Sequence, residues 1–164
     1  MSAEFPSVPS LIKATIQVIS QANGEIKNAQ ITNEVIKLLE IGAKLQMAIG
    51  AHGVTCAKVS EAEVMVAGGV PSVLIAYEPP LPVKWERIAA LQPHAEVIAC
   101  VDAPAHVAMA SAAGVAAGVE VPVLVELDIG MDRCGIRPGA PALELARRVA
   151  DAPGVRLAGV MGYE

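Results

Sequence analysis

Aromatic residues are nearly absent, since one Trp, two Tyr and one Phe make up 2% of the 164 residues. The chain therefore has no stacking platform of the kind that proteins binding single-stranded nucleic acid use. Positive charge is also scarce: 12 Lys and Arg stand against 17 Asp and Glu, and the formal net charge is −5. Because phosphate-backbone binding requires a basic surface, we expect no nucleic-acid partner.

Cysteine pairs and long apolar runs are also missing. Cys56, Cys100 and Cys134 are odd in number and widely spaced, which fits neither a disulfide framework nor a zinc motif. The Ala- and Val-rich stretch 97–125 is interrupted by charged residues, a proline and a glycine, so it is not expected to span a membrane. The N-terminus MSAEFPSVPS lacks the basic region and apolar core of a signal peptide. These features predict a cytoplasmic protein with reduced cysteines.

Apolar residues are abundant, at 54% of the chain against 18% charged residues. From Gly53 onward, β-branched runs alternate with Ala-rich runs of helical character. The helix that follows the first strand is predicted to open with a capping box at Ser60–Glu63, and Asp102 is placed to cap the third helix. Strands are predicted at 53–59, 72–78, 95–102, 121–130 and 156–164, with helices between them.

Near-continuous apolar strands joined by helices indicate an α/β protein with a parallel sheet. Right-handed crossovers then allow a doubly wound sheet or an arc of a barrel. No Gly-x-Gly-x-x-Gly follows any predicted strand, which disfavours a dinucleotide-binding fold.

The segment 1–42 differs in character from the rest of the chain. Its apolar residues recur at helical spacing on both sides of Asn23-Gly24, which predicts a helical hairpin. The run from Pro9 through ANGEIKNAQITNEV also resembles the winged-helix domain that opens some modification-dependent restriction endonucleases. Of these two interpretations the helical hairpin is favoured, and a domain junction is expected at 42/43.

The run VELDIGMDRCGIRPG, residues 125–139, is the most informative stretch. An apolar strand ends at Asp128, turns through Gly130 and presents Arg133 beside Gly135. In an α/β barrel this end of a strand is where ligands bind, so Arg133 is a candidate anion or cofactor contact. The competing interpretation is a salt bridge from Arg133 to Asp128 or to Asp132.

Together with GVTCAKVSEAEVMVAGGV (53–70) and RLAGVMGYE (156–164), this run resembles the fold-type III pyridoxal-phosphate enzymes. The resemblance covers residues 43–164 and is to the D-threonine aldolase and D-serine dehydratase branch of the alanine racemase N-terminal barrels. It implies a partial parallel (β/α) barrel of about five strands, pyridoxal phosphate as cofactor and a D-amino acid as substrate. It also implies that Arg133 and Tyr163 contact the cofactor, while core packing is the competing role for Tyr163.

The cofactor lysine of that family does not align with a lysine here. The resemblance implies a His-x-Lys-Thr motif near Val35, and the sequence contains none. Lys37 has no family-like neighbours. Lys58, at the end of a predicted strand, is the one lysine that barrel geometry would place at a ligand-binding edge, although a solvent-exposed role is favoured for it. No catalytic residue and no metal site are assigned.

Two functions remain open from the sequence. The first is a family-level lyase, a pyridoxal-phosphate-dependent enzyme of D-amino acids, inactive as this chain because the Schiff-base lysine and the C-terminal half of the relatives are missing. The second is a non-catalytic, truncated or fused barrel fragment whose unpaired strand edges lead to self-association as a homo-oligomer.

Glu126 and Asp128 lie two residues apart on one predicted strand and therefore share a face. Of these two carboxylates, Asp128 at the strand end is the expected functional position.

Overall fold

A computed structural model describes residues 38 and 40–164. The chain passes from one compact unit to a second between Ala51 and His52. In the first unit, residues 40–48 form a helix. The predicted helical hairpin or winged-helix-like segment lies almost entirely outside the described residues, as do Val35 and Lys37, so those interpretations and the junction at 42/43 remain predictions.

The unit that begins at His52 alternates five strands with four helices. Each corresponds to a predicted element, although most strands end earlier than the apolar runs suggest. The elements are β1 (Val54–Cys56), α1 (Val59–Ala67), β2 (Ser72–Ile75), α2 (Pro82–Leu91), β3 (Glu96–Val101), α3 (Pro104–Ala117), β4 (Val121–Leu127), α4 (Ala140–Asp151) and β5 (Val155–Gly162).

All neighbouring strands pair in parallel, in the order β1-β2-β3-β4-β5. A doubly wound sheet would reverse its strand order at a switch point, and this sheet does not. Sequential order combined with right-handed crossovers places the connecting helices on one face. The predicted partial barrel is therefore confirmed, as an open arc of five strands.

The core lies between this sheet and its helices. Val73, Val97 and Val123 each occupy the middle of a strand, and their side chains are fully buried. From the helical layer, Trp85 and Ile88 of α2 are equally buried. No described helix combines the length and apolar composition needed to cross a bilayer.

Two predicted helix caps are wrong. Helix α1 begins after Lys58, without a side-chain cap, and Glu63 of the predicted capping box instead accepts a hydrogen bond from Arg87 Nε at 2.6 Å. Helix α3 begins after Ala103, while Asp102 Oδ2 accepts a hydrogen bond from Gly135 N at 3.0 Å. Glu63 thus connects α1 to α2, and Asp102 connects the end of β3 to the loop after β4.

Helix α3 approaches the turn before β5 very closely. From this helix, Ser111 Oγ donates to Pro153 O at 2.6 Å. The same turn is also bound by β4, because Val121 N donates to Gly154 O at 3.0 Å. A Cβ atom at Gly114 would lie 2.0 Å from Gly154 O. Glycine is therefore required at position 114, where the helix backbone rests on the turn.

Candidate functional site

The carboxyl ends of the parallel strands meet at one edge of the sheet, here called the rim. Lys58, Glu78, Asp102, Asp128 and Tyr163 come directly after, or within three residues of, the ends of β1 to β5 in that order. Ligands of barrels and of open α/β sheets bind at this edge because the loops that follow the strands converge there.

Asp128 organises the loop after β4, residues 128–136, here called the rim loop. Its Oδ1 accepts hydrogen bonds from Gly130 N at 3.2 Å and Asp132 N at 3.1 Å. These two bonds favour the ionised carboxylate and lower the pKa of Asp128. Asp128 thus stabilises the fold of this loop, and the functional role expected from its place at the strand end stays a prediction.

The far end of the rim loop returns to β4. Ile136 N donates to Glu126 O at 2.8 Å, and Asp128 N donates to Ile136 O at 3.0 Å. Between them Gly135 has φ +100°, and a Cβ atom there would lie 2.5 Å from Asp128 N. The close return of the loop therefore depends on glycine, and it fixes the positions of Arg133 and Cys134.

Arg133 and Tyr163, the two predicted cofactor contacts, lie together on the rim. The guanidinium carbon of Arg133 is 5.6 Å from the centre of the Tyr163 ring, within the range of a cation–π contact. Both side chains are exposed. Within residues 40–164 no carboxylate is at salt-bridge distance from Arg133, so the competing pairing with Asp128 or Asp132 is not observed.

Beneath this pair lies a cluster of three acidic groups, here called the acid cluster: Glu78, Glu126 and Cys134. One potential ligand atom from each residue lies within 4.8 Å of the other two. Cys134 Sγ donates to Glu126 Oε1 at 3.0 Å. Glu126 is 2% exposed, and its Oε2 and Glu78 Oε1 are buried without a hydrogen-bond partner among the described residues.

Protonation at the acid cluster differs from that of exposed side chains. Burial, followed by the charge of Asp102 and by Glu126, raises the pKa of Glu78 to about 7. The hydrogen bond with Glu126, followed by burial, raises the pKa of the Cys134 thiol. Burial, followed by Glu126, also raises the pKa of Cys100. Burial and neighbouring acidic groups thus favour the protonated forms of Glu78 and Cys134 near neutral pH.

Sequence reasoning did not bring these three residues together. From the sequence, Glu126 is predicted only to share a strand face with Asp128. Cys134 is predicted only to be a reduced cysteine. The signal in the sequence is positional: Glu78 follows β2 by three residues, and Glu126 is the penultimate residue of β4. The return of the rim loop, which adds Cys134, is visible only in three dimensions.

Lysines are sparse at the rim. Lys58 is exposed at the end of β1, where its carbonyl accepts hydrogen bonds from the first turn of α1. Lys84 lies in α2 on the helical layer, and Lys44 belongs to the unit before His52.

Residues 34–164 match the sequence profile of the family described as "Alanine racemase, N-terminal domain". The chain is similar to a D-threonine aldolase of Arthrobacter sp., with 41% identity over 118 residues, which are 72% of this chain and 31% of that protein. It is also similar to the 3-hydroxy-D-aspartate aldolase of Paracoccus denitrificans strain Pd 1222, with 39% identity over 74% of this chain and 32% of that protein. The chain spans about a third of the length of these relatives.

Solved structures give the same picture. The D-threonine aldolase from Filomicrobium marinum superposes with a TM-score of 0.72 at 47% identity, over 74% of this chain and 33% of that one. An alanine racemase from Clostridium difficile 630 superposes with a TM-score of 0.66 at 16% identity, over 74% and 32% of the two chains. The second likeness is one of fold alone.

Proposed function

Because the chain belongs to the alanine racemase N-terminal domain family, we propose that it forms part of a pyridoxal-phosphate-dependent enzyme of D-amino acids. The proposed type is that of a D-threonine aldolase or D-serine dehydratase. The relatives named D-threonine aldolase and 3-hydroxy-D-aspartate aldolase support this class. The observation that carries it is the meeting of Arg133 and Tyr163 on the rim.

The two rim residues fit the cofactor in charge and shape. Arg133 offers a planar, permanently charged donor group that no described carboxylate neutralises. The Tyr163 ring restricts that guanidinium and adds an apolar surface with a hydroxyl group. An anionic oxygen on a planar ring is the kind of group that such a pair would hold.

When bound, pyridoxal phosphate supplies an electron sink for negative charge on the α-carbon of an amino acid. In the proposed arrangement Arg133 provides positive charge and hydrogen-bond donors at the rim. Tyr163, directly after β5, orients Arg133 through the cation–π contact, and the rim loop holds Arg133 near the end of β4. The Glu126 backbone carbonyl, which accepts a hydrogen bond from Ile136 N, anchors this loop.

We further propose that the 164-residue chain does not turn over a D-amino acid by itself. Covalent attachment of the cofactor would require a nucleophilic lysine amine, and the sequence has no His-x-Lys-Thr motif. Among the described lysines, Lys58 is the one that follows the end of a strand, two residues after β1, and its side chain is exposed. The partial chain would then provide the cofactor-facing arginine and tyrosine without the covalent attachment.

Reduction of the purified chain with borohydride in the presence of pyridoxal phosphate tests the absence of covalent attachment. Peptide mapping should show scattered labelling of surface lysines, and incubation with D-threonine should release no glycine. A single labelled site at Lys37 or Lys58, together with pyridoxal-dependent glycine release, would contradict the proposed inactivity. Lys58→Met and Lys37→Met variants would then identify which amine reacts.

A second function, a non-catalytic barrel fragment that self-associates, is favoured by the outer edge of β5. In residues 40–164, β5 pairs only with β4, and β1 only with β2. Leu157 and Val160 of β5 are 37% and 64% exposed. Unpaired strands with apolar side chains favour pairing with another chain, so a homo-oligomer formed through this edge is the alternative.

The cellular setting is proposed on the basis of the cysteines. All three are free thiols, which is typical of proteins in a reducing compartment. A cytoplasmic protein with a small-molecule D-amino acid partner fits the proposed class.

A further inference from the structure

The acid cluster gathers one thiol and two carboxylates, which are all metal-ligating groups. We propose that Glu78, Glu126 and Cys134 form a binding site for a divalent cation of the zinc type. The cluster adjoins the proposed cofactor site, because the Cys134 thiol interacts with Arg133, but metal binding by its three residues can be measured without pyridoxal phosphate.

The spacing of the three groups suits a small cation. Zinc binds sulfur at about 2.3 Å and carboxylate oxygen at about 2.1 Å, so tetrahedral ligands lie roughly 3.3–3.8 Å apart. Cys134 Sγ is 3.0 Å from Glu126 Oε1, and all three ligand atoms lie within 4.8 Å of one another. Side-chain shifts of about one ångström would complete the geometry without moving the backbone.

Burial gives the strongest reason for a ligand at this place. Glu126 is 2% exposed, yet its Oε2 has no hydrogen-bond partner among the described residues. The Oε1 atom of the half-buried Glu78 is also buried and without a partner among them. A buried carboxylate oxygen without a partner is costly. No described Lys, Arg or His lies at salt-bridge distance from either glutamate. A bound cation would satisfy both free oxygens at once.

The donor set selects the class of metal. Thiolate ligands favour zinc and related borderline or soft ions, whereas magnesium and calcium prefer sites made only of oxygen. Three protein ligands leave a fourth position of the tetrahedron for water or another small molecule. On binding, the thiol proton of Cys134 and any proton held by Glu78 pass to solvent, and a metal–sulfur bond forms.

The backbone around the cluster is held independently of any metal. Ala76 N donates to Cys56 O at 3.0 Å, and Trp85 Nε1 donates to Pro79 O at 2.8 Å, which fixes the segment that carries Glu78. The rim loop fixes Cys134 through Gly135 N and Asp102 Oδ2. Three separate segments thus present their ligands to one point, as a preorganised metal site requires.

Cobalt(II) titration of the full chain tests the proposal, because cobalt replaces zinc in such sites and its thiolate complex absorbs in the near ultraviolet. Wild-type protein should bind one equivalent with a thiolate-to-cobalt band that zinc displaces. Cys134→Ser should abolish the band, while Glu126→Gln and Glu78→Gln should each weaken binding at least about tenfold, as loss of a ligand does.

Cys56→Ser is the matched control, because Cys56 is a buried thiol that contacts Lys58 O and lies outside the cluster. It should retain the band and the stoichiometry. Far-ultraviolet circular dichroism confirms that each variant is folded, and the two isosteric Glu→Gln variants keep the test valid if one variant fails to fold. Absence of a stoichiometric band in wild-type protein, or persistence of the band in Cys134→Ser, would overturn the proposal.

Discussion

Two carboxylates at the end of β4, separated from each other by Leu127, have different surroundings. Glu126 is buried and faces Glu78 and Cys134, whereas Asp128 is turned into the rim loop, where it accepts two backbone hydrogen bonds. Period-two alternation places both on one face only while the strand continues. Since β4 ends at Leu127, the alternation no longer governs Asp128, and the sequence argument could not separate the surroundings of these two carboxylates.

Gly135 is the residue on which the rim loop most depends. In Gly135→Ala the new Cβ would meet Asp128 N at 2.5 Å and Leu127 C at 2.6 Å. We expect urea unfolding to show a loss of about 2–4 kcal/mol, from backbone strain together with the clash.

Gly139→Ala is the matched control for this prediction. Gly139 has φ +97°, close to the +100° of Gly135, but no atom lies within 4 Å of a Cβ there. With ψ −140° it should lose only the strain contribution, about 1–3 kcal/mol, and less than Gly135→Ala. Equal losses in the two variants would contradict the argued clash with the end of β4.

The ion pair between Glu63 and Arg87 should contribute stability that depends on pH. The Arg87 hydrogen bond lowers the pKa of Glu63, so the folded state keeps this carboxylate ionised to lower pH than the unfolded chain does. The contribution is therefore complete above the ordinary glutamate pKa of about 4.3 and disappears as pH falls through the lowered value.

Denaturation of wild type and Glu63→Gln from pH 3 to 7 measures this effect. Both side chains are 36% exposed, so solvent screening limits the difference to at most about 1 kcal/mol above pH 5. The control is Glu144→Gln, whose pair with Arg148 is more exposed at 66% and 55% and should contribute less. A wild-type advantage that grows toward pH 3 would refute the assigned sign.

At the scale of the element, the strands and helices from residue 53 onward could be predicted from hydrophobic pattern alone. Buried parallel strands such as β3 and β4 are continuous apolar runs, and each ends where charged residues or glycine follow. The two helix caps could not be predicted, because Glu63 accepts a hydrogen bond from Arg87 of α2 and Asp102 accepts one from Gly135 N of the rim loop. A local motif cannot show that a more distant donor will compete for the same carboxylate.

Helix α3 provides a test of packing against intrinsic propensity. Alanine normally stabilises a helix relative to glycine by about 1 kcal/mol. At Gly114, however, the Cβ would lie 2.0 Å from Gly154 O, so the helix must move away from the turn before β5. We expect Gly114→Ala to lower the free energy of unfolding by about 1–3 kcal/mol, measured by urea denaturation. A stabilised variant would show that α3 does not rest on this turn.

At the scale of the whole molecule, the sequential order of the strands determines what the sheet can do. An arc of five strands retains a rim, where Arg133 meets Tyr163, but leaves the outer edge of β5 unpaired in the described residues. Family resemblance predicted the arc and the two rim residues. The acid cluster was not predicted, because its members come from β4 and from two different loops.

The unpaired edge predicts self-association that a charge should prevent. Val160→Lys places an ammonium group on β5, where Val160 is 64% exposed, and edge lysines oppose strand pairing. Sedimentation equilibrium should show oligomers for wild type and monomers for this variant at the same concentration. Val83→Lys, at a 50% exposed position on α2, is the control and should still associate. A monomeric wild type would contradict the proposed edge pairing.

The most direct test of the central claim is the affinity of the chain for pyridoxal phosphate, measured by equilibrium dialysis. Wild-type protein should bind the cofactor, and Arg133→Leu should weaken binding at least about tenfold by removing a charge-assisted contact. Arg137→Leu removes another exposed arginine, directly after the rim loop, and should leave the affinity nearly unchanged. Equal affinities for wild type and both variants would contradict the assignment of Arg133 to the cofactor site.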